Sequence, residues 1–280
     1  MRGRHHGKRT TAGLPPSSVQ DSIVVTHEQG HHDPMNAEPA QTTELNLPQA
    51  FLLLATNDTT GKPEVPVYAL RTTLAGAILA ELDLIGAVEL QGKHVVATDT
   101  SPATSLQREL DIIRGKSRPH SPKRWVSMLE GRAEVQRVYE GLESLGIVEQ
   151  VGEKHLGAFR TVRYPEKDHA PEAALRKRIE AALSGPHSDL ELPDTTVPID
   201  ASVTGAPQPG TPVAAAGPGA PDARTIVLIA LLQAAGLLGK LFPAADLTKA
   251  DELAKDYWPA RAVEDELRMI RLAEQEAATL

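Results

Sequence analysis

The stretch 225-TIVLIALLQAAGLLGKLF-242 is the most apolar run in the chain, and its reading decides between a membrane span and a buried core helix. As a single helix its eighteen residues would measure about 27 Å, close to the thickness of a bilayer core. Gln233 and Lys240 interrupt the run, no basic loop flanks one end, and Pro243 follows at once as a stop signal. A helix apolar on nearly every side that does not span is the centre of a soluble core, so this stretch is expected to be the buried axis of the fold.

Composition agrees with a helical core. Of 280 residues 41% are hydrophobic but only 3% aromatic, so the interior must be built from Leu, Ile, Val and Ala, which suits packed helices better than a β-sandwich. No cysteine is present, which removes disulfides and thiolate metal sites and fits a cytoplasmic setting. No secretory h-region is expected at the N-terminus. A net charge of −8 disfavours generic nucleic-acid binding, which depends on neutralising phosphates.

Working outward, residues 1–44 read as a disordered tail rich in Arg, His, Gly, Pro, Ser and Thr. Within it His27-Glu28-Gln29-Gly30-His31 matches H-E-x-x-H, but Gly30, Pro34 and the lack of apolar periodicity deny it the helix that zinc chemistry needs, so no metal is expected. Asn46 and Gln49 form a capping-box pattern ahead of Phe51-Leu52-Leu53-Leu54. A turn at 57–61 precedes a helix from Val67, with Leu70, Leu74, Ile78, Leu82 and Ile85 on its apolar face and Gly86 at its end. The runs 87–90 and 94–97 read as a hairpin. Ser101-Pro102 and Ser121-Pro122 each read as a cap followed by a first-turn proline, opening two helices. Val135, Val138, Leu142 and Leu145 continue the helical period to Gly146, and a second hairpin pairs 147–151 with 158–163. Pro171 starts a helix through Leu183. Residues 186–224 form a Pro/Gly/Ala-rich linker or insertion without period. After the apolar axis, Thr248 caps a helix that ends near Tyr257, and Pro259 starts a last one with Val263, Leu267 and Ile270 in one stripe. The fold expected is mainly α: one domain over 45–185 and 225–276, a central hydrophobic helix with amphipathic helices around it and one or two small β-hairpins.

Taken in order, the blocks LNLPQAFLLLATNDTTGK (45–62), TLAGAILAELDLIGAVEL (73–90), RWVSMLEG (124–131), LGIVEQ (145–150), FRTVRYP (159–165) and PEAALRKRIEAAL (171–183), with the apolar stretch, resemble the Golgi phosphoprotein 3 family, more closely its bacterial members. The resemblance implies a single helical domain that binds phosphatidylinositol 4-phosphate in a shallow basic pocket and self-associates through a β-hairpin, here 147–163. Where eukaryotic members carry a tryptophan ahead of the second helix, this chain has Pro66, and where they carry the arginine of an L-R-G motif it has Leu74-Ala75-Gly76. Of the family's two basic residues one turn apart on the later helix, Arg132 matches one and Val135 falls at the other.

Charge gives a separate indication. Between Leu106 and Arg137 eight basic residues face four acidic ones, a local excess of four positive charges in an acidic chain. Arg132 and Arg137 are the first expected headgroup ligands, with Arg71, one turn before the family's missing arginine position, as the third. Arginine suits the task because its planar fork binds phosphate bidentately. The reading is a peripheral membrane adaptor that binds acidic phospholipid headgroups on the inner face of the membrane, with no cofactor and no nucleic-acid partner. The alternative is a winged-helix DNA-binding regulator, since a helix, a glycine and a hairpin at 133–163 also describe a wing. No nucleophile-and-base pattern or phosphate loop is apparent, so an enzyme is not expected.

Overall fold

Several helices of this protein begin where a side-chain oxygen accepts a backbone N–H that the first turn leaves unpaired. The computed structural model describes residues 44–100, 102–154, 160–184, 221–255 and 257–278. The tail up to residue 43, with its H-E-x-x-H pattern, and the insertion up to residue 220 lie outside the described residues. Asn46 caps α1 (Leu47–Leu54) by accepting from the Gln49 N–H while Gln49 reaches back to the Asn46 N–H, the capping box read from sequence. The helix α2 (Val67–Leu84) ends at Gly86, whose φ of 70° suits glycine, and leads into an antiparallel hairpin of β1 (Val88–Gln91) and β2 (His94–Ala97) in the register Gln91↔His94. After α3 (Gln107–Arg114), Ser121 caps α4 (Pro122–Leu129). The helix α5 (Arg132–Ser144) precedes a second hairpin, β3 (Val151–Lys154) and β4 (Arg160–Arg163), and α6 (Ala170–Ser184). The described chain closes with α7 (Ala223–Ala234), α8 (Leu238–Leu241), α9 (Leu247–Ala254) and α10 (Trp258–Ala278).

The expected eighteen-residue axis is shorter than its sequence. α7 starts at Ala223, capped by Asp222, and stops at Ala234 after twelve residues, about 18 Å. Gly236, at φ 74°, then reverses the chain: its N–H donates to the Gln233 carbonyl and the Leu237 N–H to the Leu232 carbonyl. This is a glycine-terminated helix end in which the next apolar residue, Leu237, is driven into the core at 0% exposure. Among the described residues no helix is long and apolar enough to cross a membrane.

Three other boundaries differ from expectation. Pro102 does not open a helix: Thr104 Oγ1 accepts from the Leu106 N–H, a local bond that competes with helix formation, and α3 begins only at Gln107. Thr248 lies inside α9, where it donates its N–H to the true cap, Asp246. The second ladder starts later than 147, because Ile147 and Val148 are buried and the strand reaches 151 before it pairs with β4. The Lys167 and Asp168 N–H groups donate to the Ile147 carbonyl, and Glu149 donates to the Pro165 carbonyl, so this segment is tied to the chain beyond β4.

The core has two axes. α7 packs against α1, α2, α6, α9 and α10, while α2 packs against α1, α4, α5, α7 and α10. Both are buried on most sides, from Ala69 to Leu82 in α2 and from Val227 to Leu232 in α7. Their approach to α10 depends on Gly76, where a β-carbon would sit 2.1 Å from the Cγ2 of buried Val263. A branched side chain at 0% exposure has no room to withdraw. The Gly76→Ala variant is therefore expected to lose roughly 1–3 kcal/mol of stability in urea unfolding despite alanine's better helix propensity.

Candidate functional site

The basic segment is built on α4 and α5, and its local order follows from burial. Trp125, Val126 and Leu129 turn into the core, which leaves Lys123 and Arg124 on the outer face of α4. α4 ends at Glu130, and Gly131 starts α5 with Arg132 as its first residue. Thr72 Oγ1 donates to Glu130 Oε2 at 2.8 Å, so the first turns of α2 are held against the α4–α5 junction. Arg71 precedes that threonine and Arg132 lies two residues past that glutamate. The hydrogen bond thus sets two arginines sixty-one positions apart in sequence within two residues of the same contact. Arg132 is exposed, Arg71 half-buried, and neither makes an ion pair among the described residues.

Arg137 has a different environment. Its Nη2 donates to Glu109 Oε1 at 3.0 Å and to Glu134 Oε1 at 2.8 Å, and Arg108 adds a second cation 3.6 Å from Glu134. Glu109 is buried at 4% exposure, so Arg137 supplies the countercharge that a buried carboxylate requires. Its guanidinium is directed into the α3–α5 contact. Of the remaining cations, Lys123 pairs with Glu266 at 3.6 Å and Arg114 donates to the Thr100 carbonyl at 2.6 Å. Lys116, Arg118 and Arg124 are exposed and without an ion pair among the described residues.

Two acidic centres away from this segment are structural. Asp83 accepts from Trp258 Nε1 at 3.2 Å, with the Tyr257 hydroxyl 3.5 Å from its other oxygen, and joins the end of α2 to the start of α10. Burial pushes its carboxyl up to about 6 against the lowering effect of those two donors. Glu166 is pushed up by burial and by the neighbouring Glu172 carboxyl, and it in turn raises His169, whose Nδ1 lies 2.5 Å from Glu166 Oε2. Glu81 and Asp83 face different partners, as their spacing implies, for Glu81 meets the starts of α1 and α7. Among the described residues no group of three or more His, Asp or Glu side chains is arranged to hold a metal ion.

The model of the Golgi phosphoprotein 3 family matches residues 47–270, from the first residue of α1 into α10. The chain belongs to the Golgi phosphoprotein 3 family. No curated protein matches it. The structure gives the surroundings of the three positions to which the resemblance assigns the family pocket. Ala75, at the position the resemblance assigns to the L-R-G arginine, is buried at 0% exposure in α2, where an arginine would need a buried partner. Val135 packs half-buried against the core one turn after Arg132. Pro66 is exposed at the start of α2.

Two tests follow from these environments. Arg137→Ala strands Glu109 and is expected to cost roughly 1–3 kcal/mol in urea unfolding, whereas exposed Arg132→Ala is expected to stay within about 0.5 kcal/mol of the parent. The raised carboxyl of Asp83 means that the folded state holds its proton more tightly than the unfolded chain does. Its contribution to stability is fully present below about pH 4 and is lost as pH rises through about 6. The Asp83→Asn variant should therefore gain in melting temperature relative to the parent as the pH is raised from 4 to 7.

Proposed function

We propose that this protein is a peripheral adaptor that docks reversibly on acidic phospholipid headgroups through Arg132 and Arg71. The observation that carries this reading is the Thr72–Glu130 hydrogen bond, which brings Arg71 to the junction where Arg132 stands exposed without a carboxylate. Family membership supports a lipid-binding adaptor, and the family's phosphatidylinositol 4-phosphate is one member of the acidic class this face would accept. Loss of the L-R-G arginine and of the second basic residue, replaced by Ala75 and Val135, favours recognition of surface charge over a tight single-headgroup pocket. Arg137 contributes by positioning: it holds the first turns of α5 against α3 through Glu109 and Glu134, and so fixes where Arg132 stands. The working location in this reading is the inner, cytoplasmic face of a membrane.

Self-association through the 147–163 hairpin belongs to the same proposal. Val151 and Val162 are exposed at 39% and 37% on opposite faces of this hairpin, so each face offers one apolar side chain to a second copy. Several copies on one membrane would add their weak contacts together. The DNA-binding alternative draws less support, since α5 directs Arg137 inward and leaves Glu140 and Glu143 exposed where a duplex backbone would lie.

Each Lys or Arg near an anionic leaflet contributes about 1 kcal/mol, so two arginines give binding that is reversible and sensitive to salt. In co-sedimentation with phosphatidylcholine vesicles with or without phosphatidylserine, the protein should pellet only with the anionic lipid. The Arg71→Ala/Arg132→Ala double variant should bind on the order of tenfold more weakly. Equal recovery on both vesicle types would reject the proposal.

A further inference from the structure

A cavity of about 470 Å³ lies between β2, the C-terminal end of α3 and the N-terminal half of α4. Its apolar wall is made by Val95, Ile113 and Trp125, all buried, and its opposite wall carries Arg114, Lys116 and Arg118 with Asp99 as the one carboxylate. The loop between α3 and α4 is fixed in place, because the Val95 N–H donates to the His120 carbonyl at 2.9 Å and the His120 ring packs edge-on against Trp125 at 5.5 Å. The three cations are thereby presented around a preformed cleft of a size typical for small ligands.

Trp125 carries the second observation. The residue is 1% exposed, lines the cavity, and its Nε1–H has no acceptor among the described residues. An indole N–H can only donate, and a buried donor without an acceptor is rare in a folded protein because it forfeits its bonds to water. Nε1 is itself closed to solvent, so an anion in the cavity would meet this donor only if the indole shifts.

We propose that this cavity binds a phosphate monoester, its oxygens held by Lys116, Arg118 and the Arg114 side, and its organic part against Val95, Ile113 and the Trp125 ring. Three cations against Asp99 leave two positive charges, which match the near-dianionic charge of a phosphate monoester at neutral pH. A phosphodiester carries one charge and no terminal phosphate, so it fits the site less well. The site is separate from the Arg71–Arg132 face: Trp125 lies in the N-terminal half of α4 and Arg132 beyond its C-terminal end. The proposal does not depend on the docking of that face to membranes. The same headgroup chemistry comes from a free sugar or polyol phosphate or from a lipid that ends in a phosphate monoester.

The protein has two tryptophans, hence two indole N–H signals in a 15N-labelled sample of the full chain, and Trp258→Phe identifies the one from Trp125. Titration with glycerol 3-phosphate tests the free source, and titration with soluble dihexanoyl phosphatidic acid tests the lipid source. A saturable shift of the Trp125 signal is expected with at least one of them. The exposed Lys116→Ala/Arg118→Ala double variant should weaken it at least tenfold, while Arg71→Ala/Arg132→Ala leaves it unchanged. A shift with the lipid alone assigns the site to a membrane headgroup, and a shift with both assigns it to the phosphate itself. A Trp125 signal that neither compound moves, or a shift of equal affinity in the Lys116/Arg118 variant, overturns the proposal, and neither result alters the vesicle test of the Arg71–Arg132 face.

Discussion

The buried carboxylate of Glu81 is the interaction on which the arrangement of the helices depends. It sits in α2 at 4% exposure, accepts the Leu47 N–H at 2.9 Å and pairs with Arg224 Nη1 at 2.5 Å. One side chain thereby satisfies an unpaired amide at the start of α1 and the cation at the start of α7, and it joins three helices whose contact faces are otherwise apolar. Apolar faces set how closely helices pack but leave their axial offset weakly determined. A buried ion pair fixes that offset, because sliding either helix would leave a charge unpaired in the core. Gly76 acts in the other direction: it lets α10 come close enough to α2 that Val263 occupies the space of a missing side chain.

From this frame the basic segment acquires two kinds of cation. Those paired with carboxylates, Arg137 and the exposed Arg108 on Glu109 and Glu134, hold α3 and α5 together. Those left outward, Arg132, Arg124, Lys116 and Arg118, have solvent as their only partner among the described residues. A local excess of four charges counted along the chain treats all of them alike. Three-dimensional pairing separates them, and the outward set falls into two groups at the two ends of α4, one beside Arg71 and one around the cavity below Trp125.

Much of the architecture was legible because it rests on local chemistry. The capping box at Asn46 and Gln49, the Ser121-Pro122 start of α4, and the glycine ends at Gly86 and Gly146 each depend on residues within four positions of one another. The misreadings occurred where a competing local bond or a distant contact prevailed. Thr104 captured the Leu106 N–H and delayed α3, Asp246 took the cap expected of Thr248, and Gly236 ended α7 so that Leu237 could be buried. Of the candidate ligands, Arg132 was reachable through family resemblance and through charge. The engagement of Arg137 by Glu109 was not, since the two lie twenty-eight positions apart on different helices.

By itself the sequence determined that the protein is a helical domain with an aliphatic core, that its most apolar stretch is buried and does not span a bilayer, and that it belongs with the Golgi phosphoprotein 3 family. Periodicity, capping and composition act over one or two turns, and a linear chain displays them in full. Only the tertiary structure decided that the core has two axes, that Arg71 and Arg132 lie at one junction while Arg137 serves the core, and that Trp125 lines a basic cavity. These depend on which side chains meet after the helices pack. Burial then fixes whether a charge is neutralised by a neighbour or left to meet a ligand.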